Sequence, residues 1–136
     1  IAVVTHFDTP LRRYLAERGN IIIIDINKNL KETLQISAKV LREGKNLVIF
    51  PEGARTRDGE LQEFKKTFAI LSKELNIPVV PFGIRGAYES MPYGSSFPKS
   101  SPIDIKFFDE IEPEELTIDE IVQEARKEIN DWLKED

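Results

Sequence analysis

An α/β fold is predicted, a mostly parallel central sheet with helices on both faces, and three observations predict it. Short apolar runs recur at residues 21–24, 47–50 and 79–80. They are continuous rather than alternating, as strands buried on both faces are. Amphipathic helical patterns at 29–43 and 62–75 separate them. Strand, helix, strand, helix, strand in that order implies right-handed crossovers and parallel pairing. The 136 residues make one domain, 1–136, around one core.

The elements follow in order. Ile1-Ala2-Val3-Val4 reads as the end of a strand. Thr9 suits a helix cap and Pro10 its first position. The helix over 11–18 carries Arg12, Arg13 and Arg18, a basic face that is either solvated or in contact with phosphate or membrane. Gly19-Asn20 ends it. Ile21 to Ile24 is the first buried strand, and Asp25 at its carboxyl end reads locally as a turn or cap residue. The next helix, to about Glu43, places Leu30, Leu34, Ala38 and Leu41 on one face, and Gly44 closes it. The helix predicted over 62–75 buries Phe64, Phe68, Leu71 and Leu75, at the spacing of a packed face rather than of an acyl-chain groove.

Val79-Val80 is a further buried strand that Pro81 ends or bulges, with Arg85-Gly86 just beyond. Residues 91–102, rich in Pro, Ser and Gly, read as a surface loop, or as a segment closing over an acyl chain. Ile103 to Phe107 alternates and predicts an edge or antiparallel strand. Thr117-Ile118-Asp119-Glu120 is a capping box. The helix after it sets Ile118, Ile121, Val122, Ala125, Ile129, Trp132 and Leu133 on one face.

The most informative stretch is Val48-Ile49-Phe50-Pro51-Glu52-Gly53-Ala54-Arg55-Thr56. Pro51 has no N–H for a ladder and stops the strand. Glu52, Gly53 and Arg55 then lie past the strand's carboxyl end, where open α/β sheets bind ligands. Gly53 permits a sharp turn or a close backbone approach. Arg55 carries a planar fork suited to phosphate or carboxylate. Two local readings stand for Glu52 and Arg55: a phosphate or anion site, or a structural ion pair. The sheet order gathers Asp25, the loop from Glu52 to Arg55 and the region from Pro81 to Arg85 at one edge.

Composition excludes several classes. A net charge of −5 opposes nucleic-acid binding and strong electrostatic docking to anionic lipid. Absence of cysteine removes disulfides, thiol nucleophiles and thiolate metal sites, and fits a cytoplasmic protein. No apolar run approaches the ~20 residues of a membrane span, and no signal peptide is visible. One histidine and no Gly-rich P-loop leave no metal or nucleotide motif. The chain begins at Ile1 rather than Met, so it is expected to be the C-terminal portion of a larger domain.

Phe50-Pro51-Glu52-Gly53-Ala54-Arg55-Thr56 resembles the F-P-E-G-T-R-S block of the glycerolipid acyltransferases, the family of lysophosphatidic acid acyltransferase with its H-x4-D active site. Three further stretches agree in order. Gly19-Asn20-Ile21 through Asp25 resembles G-x-I-F-I-D-R. Phe64-Lys65-Lys66 resembles F-K-K-G, with Thr67 in place of Gly. Val79-Val80-Pro81-Phe82 resembles V-P-V. The resemblance runs from about Arg18 to Met91. Residues 20–29 and 83–92 are most similar to acyltransferase domains fused to acyl–acyl-carrier-protein synthetases.

The resemblance implies a glycerol-3-phosphate acyltransferase-like fold, truncated at its N-terminus. It implies transfer of an acyl group from a thioester, acyl-CoA or an acyl carrier protein, to the hydroxyl of a lysophospholipid or glycerol phosphate, in phospholipid biosynthesis. The thioester is a co-substrate and no cofactor is implied. Glu52, Gly53, Arg55, Thr56, Asp25 and Pro81 become the substrate-binding residues. The Arg that often follows the family's Asp is replaced here by Ile26-Asn27, which removes one expected phosphate-binding cation. The base of such a reaction is the His of H-x4-D. The one histidine here is His6, and the fifth residue beyond it is Leu11, so the motif does not occur. His6 with Asp8 is the nearest substitute, about 6.6 Å apart along a strand; otherwise His6 is an exposed or loop-capping histidine.

The catalytic pair is therefore expected upstream of Ile1, the isolated chain is expected to be inactive, and the parent protein is expected on the cytoplasmic side, peripheral to or tethered at the inner membrane. Two other classes stand beside the enzyme: a non-catalytic module that binds a phospholipid headgroup or acyl carrier, and a phosphatase-like hydrolase using Glu52.

Overall fold

A computed structural model of the chain describes residues 2–3, 14, 18–19, 23–24 and 30–135. The chain divides into two compact units, Ile1–Phe50 and Pro51–Asp136.

In the first unit, β1 (Ala2–Val3) and β2 (Ile23–Ile24) form a parallel pair, with Ala2 opposite Ile23 and Val3 opposite Ile24. Tyr14 and Arg18 are helical, and the Arg18 guanidinium lies 5.2 Å from the Tyr14 ring centroid, one helical turn on. The helix α1 spans Leu30–Arg42, with Glu32 in its first turn and Lys39 and Arg42 in its last, the charge order its dipole favours. It ends where the Gly44 amide donates to Leu41 O (3.0 Å) and the Lys45 amide to Val40 O (3.3 Å), the paired bonds of a Schellman cap. Thr33 and Ser37 are its buried positions, while Leu34, Ala38 and Leu41 are half-buried. The covered stripe is thus centred about one residue earlier than the apolar pattern implies.

Residues 47–50 differ from expectation. They carry no regular secondary structure among the described residues. Val48 and Phe50 are 54% and 58% exposed, whereas Leu47 and Ile49 are half-buried. Burial alternates along the segment, so one side is covered and not two.

The second unit contains α2 (Thr67–Leu75), β3 (Phe82–Arg85), α3 (Ala87–Ser90), β4 (Asp104–Phe107) and α4 (Ile118–Leu133). β3 and β4 pair antiparallel, Phe82 opposite Phe107 and Arg85 opposite Asp104. The antiparallel strand read from residues 103–107 is therefore present. The strand read at 79–80 lies further on. Val79 contributes one bridge, exchanging hydrogen bonds with Ile111 (3.0 and 2.7 Å), and the Phe108 amide donates to Pro81 O (3.0 Å). Pro81 lacks a donor but keeps its acceptor, so the ladder passes through it. Among the described residues β1–β2 is the parallel pair and β3–β4 the antiparallel one; the larger parallel sheet is not drawn out among them.

The core of this unit is Ala69, Ile111, Ile121 and Ala125, with Phe68, Val79, Leu116, Ile118 and Val122 packed against it. The capping box before α4 is formed on both sides: the Glu120 amide donates to Thr117 Oγ1 (3.3 Å), and the Thr117 amide to Glu120 Oε2 (2.7 Å). Ile121, Ala125, Ile129 and Trp132 are the buried face, as the periodicity predicts. The ammonium of Lys73 on α2 donates to Pro113 O (2.7 Å) and Glu114 O (3.1 Å), which ties α2 to the segment leading into α4. No helix among the described residues is long and apolar enough to cross a membrane.

Candidate functional site

The loop from Pro51 to Gln62 is held by its own polar groups. Gly53 has φ +73°, a conformation that favours glycine. A Cβ there would lie 2.6 Å from Lys65 Nζ, so the Lys65 side chain runs across the glycine. The Lys65 amide donates to Pro51 O (2.9 Å) and the Gln62 amide to Glu52 Oε2 (2.8 Å). These two bonds tie residues 62–65 to the loop ahead of α2, which starts at Thr67.

Thr56 closes the turn. Its hydroxyl donates to Asp58 Oδ1 (2.9 Å) and accepts from the Gly59 amide (3.0 Å). Asp58 also accepts from the Glu60 amide (3.1 Å). That amide first, and then the Thr56 hydroxyl, hold the Asp58 carboxyl below its ordinary value. The side chain of Gln62 donates through Nε2 to Glu60 O (2.9 Å). The anchor on the far side is Arg126 of α4, whose Nε donates to Gln62 O (3.3 Å) and whose Nη2 lies 3.3 Å from Glu63 Oε1.

This arrangement separates the two readings of Glu52 and Arg55. The Glu52 carboxylate is turned to a backbone amide. Among the described residues Arg55 makes no ion pair with Glu52 or with any other carboxylate, and it is exposed. Its guanidinium carbon lies 6.0 Å from the centroid of Tyr93. An exposed guanidinium without a carboxylate partner can receive an anion from outside.

The other residues singled out from sequence fall elsewhere. Pro81 is buried, with its carbonyl committed to Phe108. Arg85 is a structural residue: Nη2 donates to Trp132 O, and its guanidinium carbon sits 4.5 Å from the Trp132 ring centroid, so it is not a free cation at a sheet edge. Asp25 and His6 lie outside the described residues. Gln62, Lys65, Arg57 and Tyr93 complete the loop's surroundings without having been singled out as site residues. Arg57 was readable as a second cation two positions after Arg55; Gln62 and Tyr93 gave no local signal. Among the described residues no group of three or more His, Asp or Glu is placed to hold a metal.

Known proteins resemble this chain in the same stretch. The family model described as Acyltransferase matches residues 1–85. A 1-acyl-sn-glycerol-3-phosphate acyltransferase from Limnanthes douglasii is 31% identical over 94 residues, covering 69% of this chain and 32% of its own length. The protein of the same name from Cocos nucifera is 30% identical over 81 residues, 60% of this chain and 26% of its own. The crystal structure of the 1-acyl-sn-glycerophosphate (LPA) acyltransferase PlsC from Thermotoga maritima superposes with a TM-score of 0.83 over 98% of this chain and 54% of that one, at 20% identity, and so shares its fold. The chain thus spans between a quarter and a third of these curated relatives and about half of the solved one. Matched over more than half its length, and carrying the motif blocks of the glycerolipid acyltransferases, the chain belongs to the acyltransferase family.

Proposed function

We propose that this chain is the acceptor-binding part of an enzyme that transfers an acyl group from a thioester to the hydroxyl of a lysophospholipid or glycerol phosphate, as the names of its relatives suggest. The observation that carries this reading is the exposed Arg55, which has no carboxylate partner among the described residues while Glu52 is held by the Gln62 amide. Arg55 receives the acceptor's phosphate, and Gly53 lets the chain come close to it. Thr56 and Glu52 hold the loop in shape, Glu52 by facing away from the phosphate, since two anions repel. In the same reading the fold around the loop is completed by a mostly parallel sheet with helices on both faces.

The acceptor oxygen attacks the thioester carbonyl, the C–O bond forms as the C–S bond breaks, and the hydroxyl proton ends on the departing thiol. A base must take that proton and donors must meet the developing oxyanion. No H-x4-D occurs in these 136 residues, so the isolated chain is read as binding without turnover. The donor is acyl-CoA or, following the resemblance to domains fused to acyl–acyl-carrier-protein synthetases, an acyl carrier protein. The reading asks for no cofactor beyond this thioester, and it places the enzyme on the cytoplasmic side of the inner membrane, as a peripheral or tethered protein.

The test is steady-state kinetics of the full-length protein that carries this chain. Arg55→Ala should raise the acceptor KM by the equivalent of about 1.5–3 kcal/mol, the strength of a charged hydrogen bond, and leave the donor KM in place. An unchanged acceptor KM in a folded variant would refute the assignment.

A further inference from the structure

We propose that β4 is a contact between two copies of this chain, joined edge to edge about a twofold axis at Ile105, so that the β3–β4 ladder runs on into that of the second copy.

The edge is open. The Phe108 amide donates to Pro81 O, and hydrogen-bonded pairs in an antiparallel ladder fall at alternate residues. With Gly83 opposite Lys106 and Arg85 opposite Asp104, the backbone groups of Asp104, Lys106 and Phe108 are the ones turned to β3. Those of Ile105 and Phe107 are turned the other way. Among the described residues β4 has no second neighbouring strand and no hydrogen bond on that side. The edge is also apolar on one face. Ile103, just ahead of β4, alternates with Ile105 and Phe107, and the three are 51, 58 and 68% exposed. The other face is the one α4 covers, where Trp132 lies against Gly83. An apolar strand edge left open in this way is a template for another chain.

The sequence of the edge selects a copy of itself. With the two strands antiparallel and Ile105 opposite Ile105, Asp104 stands opposite the partner's Lys106 and Lys106 opposite the partner's Asp104. Ile103 then meets Phe107. Among the described residues neither Asp104 nor Lys106 has an ion-pair partner of its own. The phase fits as well. Ile105 carries outward backbone groups, so the pair at the axis exchanges both hydrogen bonds. The Asp104–Lys106 pairs fall at the alternate positions, where Cα atoms come within about 4.5 Å and side chains are closest. Sliding the copy by two residues sets Asp104 against Asp104 or Lys106 against Lys106, and like charges directly opposite are destabilising. One register is thus favoured, and it is isologous, as a closed dimer requires. A bilayer suits this edge less well, since its charges balance and the chain as a whole carries −5, whereas anionic lipid attracts clustered basic residues.

The test is sedimentation equilibrium of the full-length protein that carries this chain, over roughly 1–200 μM, because so short a contact belongs with weak associations. Wild type should pass from monomer to dimer across this range. Asp104→Lys and Lys106→Asp should each weaken the dimer about tenfold or more, and the double variant that exchanges the two charges should restore it. Ile105→Pro should abolish it, because it removes the outward N–H at the axis and leaves the bonds to β3 in place. Thermal midpoints establish that all four variants fold. A monomer at every concentration overturns the proposal. So does a dimer that these variants leave unchanged, which would place the contact elsewhere, or one that the double variant fails to restore. Flotation with vesicles of phosphatidylcholine and phosphatidylglycerol covers the remaining occupant. A wild type that stays monomeric and loses vesicle binding on Ile105→Pro would assign the edge to lipid and not to a second copy.

Discussion

A β-carbon at Gly83 would lie 2.7 Å from Cε3 and Cζ3 of Trp132 and 3.5 Å from Cγ2 of Ile129. The indole is not a flexible end that can swing aside. It is buried, crossed by the Phe108 ring at 6.3 Å and covered by the Arg85 guanidinium. Gly83→Ala should therefore push α4 away from β3. Overpacking of this kind costs about 1–3 kcal/mol, enough to lower the melting temperature by several degrees. Thermal unfolding followed by circular dichroism checks it, and an unchanged midpoint would mean that the indole has room to move. None of this was legible in the sequence, where Gly83 follows Phe82 as an ordinary strand residue and Trp132 stands on a distant helix. The residues that were legible are those whose chemistry is local. Gly53 and Arg55 could be picked out because a turn and a cation declare themselves locally, whereas Thr56 entered only with the motif resemblance. Tyr93 could not, because only the fold brings it to Arg55.

At the scale of elements, α4 was readable in full and α2 only in part. The α4 cap lies within its own sequence: Thr117 and Glu120 satisfy each other's amides. Ahead of α2 the chain is tied to residues further back, Pro51 O and Glu52 Oε2 taking the amides of Lys65 and Gln62. Helical periodicity through Phe64 and Phe68 continues regardless, since those rings still meet edge to face at 6.3 Å. The cap also yields a pH dependence. The Thr117 amide first, and then its hydroxyl, hold the Glu120 carboxyl below its ordinary value. The ionised form is thus the one that stabilises the folded state. Its contribution is fully present above the usual glutamate value of about 4.3 and is lost as pH falls through the lowered value. The melting temperature of the wild type should fall more steeply than that of Glu120→Gln as pH drops below about 4. Parallel curves for the two would remove Glu120 from the account. Thr117→Ala should cost about 1 kcal/mol at neutral pH.

On the scale of the whole molecule, the core of the second unit is assembled from pieces far apart in the chain: Ala69 from α2, Ile111 from the bridge to Val79, and Ile121 and Ala125 from α4. The apolar pattern made each piece visible, but not which faces meet. That is why β4 was readable as a strand, while β3 was sought at Val79-Val80, just ahead of where it forms, and the larger parallel arrangement was not recovered from the described residues. The same assembly makes α4 decisive for the unit, because Arg126 on its outer side also holds Leu61 and Gln62 of the candidate site. Ile121 has no exposed surface, and truncating it leaves a cavity among residues that are held from several directions. Ile121→Ala should therefore cost about 2–5 kcal/mol. The chain has a single tryptophan, Trp132, and it lies on the same helix face as Ile121. Its fluorescence reports directly on the unit that contains both. Denaturant unfolding followed at Trp132 should show an earlier midpoint in Ile121→Ala with an unchanged slope, since the surface exposed on unfolding is nearly the same. A smaller slope would mean that the variant's folded state is already loosened, and an unmoved midpoint would mean that the core of this unit does not depend on the docking of α4.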